Sequence, residues 1–273
     1  MSKYNKRLDG RGFDETRPVS AKAGVIKKAD GSAYFKIGNT AAFAAVYGPR
    51  ELNPKHLQDP KKGLLRCNYN MLPFSGTDRI RPGPSRRSKE ISMVTVKALL
   101  PVVNLEDYPN AVVDVFIELT ETDAGSRCAG ICAAAMALAD AGITMKDMVA
   151  AVSVGVVDHQ IVIDLNGDEE HLHEYDVADI PVAMVPSTGE VTLLQCDGKL
   201  TKEELLKGIE KVTPVLKNLA EIQRKALKER YKDEGFEGLV AEDDAQPSAV
   251  PSENDISSHG GDDSGHDYNM NNE

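Results

Sequence analysis

Hydrophobic residues in this chain change their spacing partway along, and that change decides the fold class. To about Asn70 the pattern is that of strands and turns. Gly24-Val25-Ile26-Lys27 and Ala33-Tyr34-Phe35-Lys36-Ile37 flank Asp30-Gly31, a hairpin signal, and Gly38-Asn39 turns the chain into another strand, Ala41 to Tyr47. From Ser88 the spacing becomes helical. Ile91, Val94, Ala98 and Val102 fall on one face, and the helix is predicted to end near Asn104. An apolar strand, Val112 to Leu119, follows, then the turn Asp123-Ala124-Gly125-Ser126-Arg127 and a second, Ala-rich helix to about Ala141. Turns at Asp158-His159 and at Ser187 to Glu190 mark two more hairpins. The last element, Lys202 to about Lys232, is amphipathic, with Leu205, Ile209, Val212, Leu216, Leu219 and Ile222 on one face. Hairpins first, with helices set between later strands, predict an α+β fold with mixed sheets rather than a doubly wound parallel sheet.

A net charge of −11 argues against an anionic ligand until the charges are located. Residues 241–273 carry nine acids and no Lys or Arg, which leaves 34 acids against 32 bases in the body. The body is therefore close to neutral and can gather positive charge in one cleft. Rich in Asp, Ser, Gly and Asn, residues 241–273 cannot bury enough apolar surface to offset the entropy of ordering, and are predicted to be a disordered acidic tail to a domain spanning residues 1–240. The longest apolar run, Cys128 to Ala139, is shorter than the ~18–20 residues that cross a bilayer, and no apolar stretch follows Met1-Ser2-Lys3. A cytoplasmic protein with no membrane partner is expected. The four cysteines form no C-x-x-C pair, and Cys128 and Cys132 read as small buried thiols of the Ala-rich helix.

Three segments carry chemistry. Arg79 to Glu90 packs Arg79, Arg81, Arg86, Arg87 and Lys89 around two prolines and leads into a helix that Ser85 or Ser88 can cap. Cations at a positive helix end are unfavourable unless an anion joins them; otherwise the segment is a solvated basic loop. Gly125-Ser126-Arg127 stands between strand and helix, where glycine permits close approach, hydroxyl and amides donate, and the guanidinium supplies charge. It is either an oxyanion cradle or an ordinary capped turn. Asp179, in Asp176-Val177-Ala178-Asp179-Ile180-Pro181, enters an apolar strand either as a turn former or as a carboxylate aimed into a site.

In this order, with Arg7-Leu8-Asp9-Gly10-Arg11, Gly31-Ser32-Ala33, Ile37-Gly38-Asn39-Thr40 and Val46 to Glu51, these segments resemble the ribonuclease PH family over residues 5–232. Asn68-Tyr69-Asn70-Met71 through Ser75, and Val191 to Gln195 before Asp197-Gly198, resemble its archaeal exosome branch. The resemblance implies a ribonuclease PH fold and a phosphate-dependent 3′→5′ exoribonuclease that releases nucleoside diphosphates and can run backward to add RNA tails. It implies a hexameric ring of three such chains alternating with an inactive homologous subunit, capped by RNA-binding proteins. Phosphate would be held by Arg87, Gly125, Ser126 and Arg127, and the 3′ end of the RNA gripped by Arg86 and Arg87. Arg66 and Tyr69 would meet RNA at the entrance, Tyr69 by stacking. Asp179 would be the acid or would hold a magnesium or manganese ion.

One position departs from the family. Its active members carry a second Asp six residues before the Asp of the A-D-x-P motif, and His173 stands there. On an extended chain His173 shares a face with Asp179 and replaces that carboxylate. A longer loop from Gly167 to Val177 would let Asp176, or more remotely Asp168, do so instead. Two further readings stay open: an inactive ring subunit that only binds RNA, and a free homohexamer that trims transfer RNA.

Overall fold

Backbone pairing follows the apolar segments closely, with two shifts of boundary. The structure is a computed structural model and describes residues 4–172 and 174–233. His173 and the predicted tail, 241–273, lie outside the described residues. In chain order the elements are β1 (Val19–Ala23), β2 (Gly31–Ile37), β3 (Thr40–Glu51), β4 (Leu64–Met71), α1 (Arg86–Leu99), β5 (Ala111–Glu121), α2 (Ser126–Asp140), β6 (Ala150–Val157), β7 (Gln160–Ile163), a one-turn α3 (Gly167–Glu170), β8 (Val177–Val185), β9 (Glu190–Leu194) and α4 (Lys202–Asp233). They build a five-stranded sheet in the order β1-β2-β3-β5-β4 and a four-stranded sheet in the order β7-β6-β8-β9. β4 runs parallel to β5, and every other pair is antiparallel. The expected α+β class with mixed sheets is what forms.

The first hairpin begins earlier than its sequence signal. β1 is Val19–Ala23, and Gly24, at φ +70°, takes the chain out of extended conformation, so residues 24–27 belong to the loop. The loop is tied to β2 by Gly24 N–H donating to the Ser32 carbonyl at 2.8 Å and Ile26 N–H donating to Ser32 Oγ at 2.8 Å. α1 begins at Arg86 and ends at Leu99 rather than near Asn104, because Pro101 cannot continue the ladder; Val102 is buried from the loop that follows.

α2 holds the two sheets together. It packs on β2, β3 and β5 of the first sheet and on β6 and β8 of the second, and every residue except Arg127 and Ala139 is buried. A helix covered all round has no polar face, which explains the run Cys132-Ala133-Ala134-Ala135-Met136-Ala137-Leu138. Small side chains let both sheets approach. A Cβ on Gly130 would sit 3.2 Å from Ile117 Cγ2 of β5. α4 covers the outer face of the second sheet with Val212, Leu216, Leu219 and Ala220, all essentially solvent-free, and its buried Gln223 Nε2 donates to the Cys132 and Val149 carbonyls at 3.2 Å each. No helix among the described residues is long and apolar enough to cross a membrane.

The tightest approach is at Gly31, where an added Cβ would run into the Ala137 carbonyl oxygen and the Ala141 backbone nitrogen. Neither can move without breaking the end of α2. Gly31→Ala is expected to cost about 1–3 kcal/mol of unfolding free energy, read as a lower denaturation midpoint.

Candidate active site

Where β5 meets α2, the chain makes a turn that few residues tolerate. Ala124 and Gly125 are both left-handed, at φ 55° and 64°, and Gly125 is the N-cap of α2. No side chain caps this helix, so its first amides keep their hydrogen-bonding capacity and face a polar cleft of about 640 Å³. Ser126 and Arg127 open the helix and line the same cleft. Arg127 donates to Gln195 Oε1, and Gln195 Nε2 in turn donates to Glu90 Oε1 at 3.1 Å, which holds the guanidinium from behind.

A second helix start delivers another cation. Ser85 caps α1: Ser88 N–H donates to Ser85 Oγ at 2.9 Å and Ser85 N–H donates to Ser88 Oγ at 2.8 Å. Arg87 follows directly and lines the cleft with the Gly125-Ser126-Arg127 triplet. The basic loop, through Arg87, and the turn therefore line one cleft rather than standing as separate features. Arg86 is exposed at the same helix start but does not line the cleft.

The facing wall is acidic. Asp179, on β8, lies opposite Gly155 of β6, exchanges backbone hydrogen bonds with Asp197 at 2.8 Å, and accepts from the Ser153 hydroxyl. Burial pushes its carboxyl up to about 6, against the Ser153 hydrogen bond and the Arg127 charge, while Glu170 and Asp197 add to the rise. Asp168, Glu170 and His171 join it from α3 and the residue after it. His171 Nδ1 lies 2.7 Å from the Gly167 carbonyl and donates to it as the N–H tautomer.

Asp168 and Glu170 thus bring further carboxylates to the cleft that holds Asp179. β8 begins only at Val177 and the chain turns at residues 174–175, so the alternation of faces does not reach back from Asp179 to position 173. Asp176 lines a different crevice, with Asp158, His159 and Glu204, and is not in the cleft. Asp168, the remoter substitute, is in it, together with Glu170. The turn of α3 was legible: Asn166 Oδ1 accepts from Glu169 N–H at 2.8 Å and Glu169 Oε2 accepts from Asn166 N–H at 3.2 Å, a capping box written in the sequence as N-x-x-E.

One other expectation changes. Tyr69 is 1% exposed, its ring packed under α2 near Gly130, so it offers no platform for stacking; its hydroxyl lies beside Ser126 beneath the cradle. Arg66 stays at the surface on β4, where Nε and Nη2 donate to Asp114 at 2.6 and 2.9 Å, and it does not line the cleft.

Cationic and acidic walls around one cleft suit an anion that must be bound, charged further and protonated at one end. The chain belongs to the 3′ exoribonuclease family of ribonuclease PH type: residues 15–144 match its domain 1 and residues 147–211 its domain 2. Membership makes it a phosphorolytic 3′→5′ exoribonuclease with inorganic phosphate as co-substrate. Among its relatives, exosome complex component Rrp41 of Thermococcus kodakarensis is 52% identical over 231 residues, 85% of this chain and 92% of that protein. Rrp41 of Thermoplasma volcanium is 47% identical over 238 residues, 87% and 95% of the two chains. Rice (Oryza sativa) Rrp46 superposes with a TM-score of 0.73 over 81% of this chain and all of its own. A chain of the Archaeoglobus fulgidus exosome with RNA bound to the active site gives 0.68 over 80% and 92%. At 24% identity each, these two structures speak for the fold alone.

Proposed function

We propose that this chain is the catalytic ring subunit of an exosome, and that the cleft between Arg87, Arg127 and Asp179 is where phosphate attacks the terminal phosphodiester of RNA. The carrying observation is the uncapped start of α2, with two arginines beside it, facing a carboxyl whose pKa lies near 6. Inorganic phosphate sits on the free amides of Ser126 and Arg127 and between the two guanidinium groups. Arg86, on the exposed first turn of α1, grips the backbone of the incoming strand. Attack forms a P–O–P anhydride bond between phosphate and the terminal phosphoryl group and breaks the ester bond to the 3′ oxygen of the preceding nucleotide, releasing a nucleoside diphosphate. The departing 3′ oxygen takes its proton from Asp179, whose raised pKa suits an acid working near neutral pH. In the reverse direction the ionised Asp179 takes that proton back while RNA is extended.

Relatives named as exosome components support a place in an exosome; in this reading the chain assembles into a ring with an inactive homologous subunit and RNA-binding caps. The reading as an inactive subunit drew on the absence of a second carboxylate, and Glu170 in the cleft removes that ground. A divalent cation fits the donor set. Asp168, Glu170 and Asp197 offer oxygen, and no group of three His, Cys, Asp or Glu among the described residues is placed to cage a metal. Magnesium commonly takes only one or two protein carboxylates, with phosphate oxygens and water completing its shell. Glu170 would hold it, and when bound it would offset charge on the phosphoryl oxygens.

Degradation of RNA labelled along its length by the assembled complex is expected to require phosphate and to release nucleoside diphosphates. Monophosphates appearing at an equal rate without phosphate would overturn the reading. Arg127→Ala is expected to slow this turnover at least roughly tenfold, through loss of a charge-assisted contact that strengthens as charge develops, while RNA affinity without phosphate changes little.

Asp179 sets a sign for the pH dependence. Its protonated form serves degradation, so turnover is expected to fall as pH rises through about 6, whereas the reverse extension gains over the same interval. Asp179→Asn removes both limbs. Parallel limbs in the two directions would take the proton from Asp179 and give it to another group.

A further inference from the structure

The N-terminal segment lies far from the cleft in sequence but ends against it in space. Arg7 is fully buried, and so is its partner Glu169: Arg7 Nε donates to Glu169 Oε1 at 2.8 Å and Nη2 to Oε2 at 2.6 Å, a bidentate pair. Tyr4 Oη donates to Glu169 Oε1 at 2.8 Å, and the remaining guanidinium donors reach the Ile163 and Asp164 carbonyls at 2.8 Å. Glu169 also accepts from Asn166 N–H, so every lone-pair direction of a solvent-free carboxylate is used. Such a group has one position, because any rotation leaves a buried charge unpaired.

Glu169 is the neighbour of Glu170. α3 is only one turn long and too short to hold itself, so its orientation comes from what anchors it. Consecutive residues on a helix point about 100° apart. Fixing Glu169 inward therefore fixes Glu170 outward, into the cleft and toward Asp179, whose carboxyl feels its charge. We infer that Tyr4 and Arg7 are positioning residues for the cleft carboxylate Glu170, acting through the buried Glu169. This rests on the reading of the cleft as the phosphorolytic site.

The test is a pair of mutant cycles in the assembled complex, with turnover, KM for phosphate and thermal unfolding measured for each variant. Arg7→Lys keeps the charge but loses the bidentate geometry, and is expected to lower kcat roughly ten- to a hundredfold, as a misplacement of about 1 Å does, with KM for phosphate little changed. In a Glu170→Gln background Arg7→Lys is expected to have no further effect on kcat. A merely structural Arg7 would multiply the two losses, and that outcome overturns the inference while leaving the cleft reading intact. Should Glu170→Gln by itself retain full turnover, the cleft reading of Glu170 fails and the inference with it. If Arg7→Lys does not fold, Tyr4→Phe serves in the same cycle. It removes one hydroxyl from Glu169 and is expected to lower kcat about threefold in the parent and not at all beside Glu170→Gln. An equal fall in both backgrounds would again place the effect in stability alone.

Discussion

A helix buried on every side is the constraint from which this structure follows. Because α2 lies between the two sheets, its body is limited to small apolar residues, and only its ends meet anything polar. Its C-terminal end is closed by the contact of Gly31 with Ala137 and Ala141. Its N-terminal end is left open, uncapped, at the rim of a cleft. The apolar packing that fixes the helix axis therefore also fixes where the free amides point. The proposed site for a tetrahedral anion is thereby a by-product of the core, held by many van der Waals contacts.

Ion pairs connect the parts that the core does not reach. Arg17 donates to both oxygens of Asp164, at 2.7 and 2.9 Å, and to the backbone carbonyl of Asp123. Asp123 Oδ1 accepts from Gly167 N–H at 2.7 Å, where α3 begins. The turn that builds the cradle and the turn that carries the acidic wall are thus fastened to one another and to the same N-terminal segment. Removing one member of such a network leaves an uncompensated buried charge. The R-L-D-G-R signature is explained by what it fastens: Arg7 and Arg11 both reach Asp164, Arg7 through its carbonyl.

The fold and the cationic half of the site were legible in the sequence because their signals are local. Alternating and helical spacing, Gly125 beside Ser126, and two serines before Ile91 each declare a geometry within a few residues. What escaped depended on distance along the chain. Strand parity from Asp179 pointed to His173, and a longer loop to Asp176 or Asp168; β8 begins only at Val177, so parity reaches no further back, and a capped turn at Asn166 brings Asp168 and Glu170 to the cleft. Tyr69 looked like a surface aromatic because its strand is an edge, and its burial comes from α2, sixty residues later, lying across it. Val19–Ala23 was overlooked as a strand because two of its five residues face solvent and its partner, not its own composition, defines it.

The two helix starts at the cleft are finished differently. α1 pairs its N-cap and third amides with its own serines, while no side chain caps α2. In the proposed reaction one ligand must return to the same place each cycle, and the other must advance by one nucleotide. Rigid backbone donors suit the first. Long side chains on a self-capped, exposed turn suit the second, since they can release one phosphate and take the next without disturbing the helix that carries them. Translocation along RNA then needs no moving domain: the stationary and the sliding contacts are already divided between two helices.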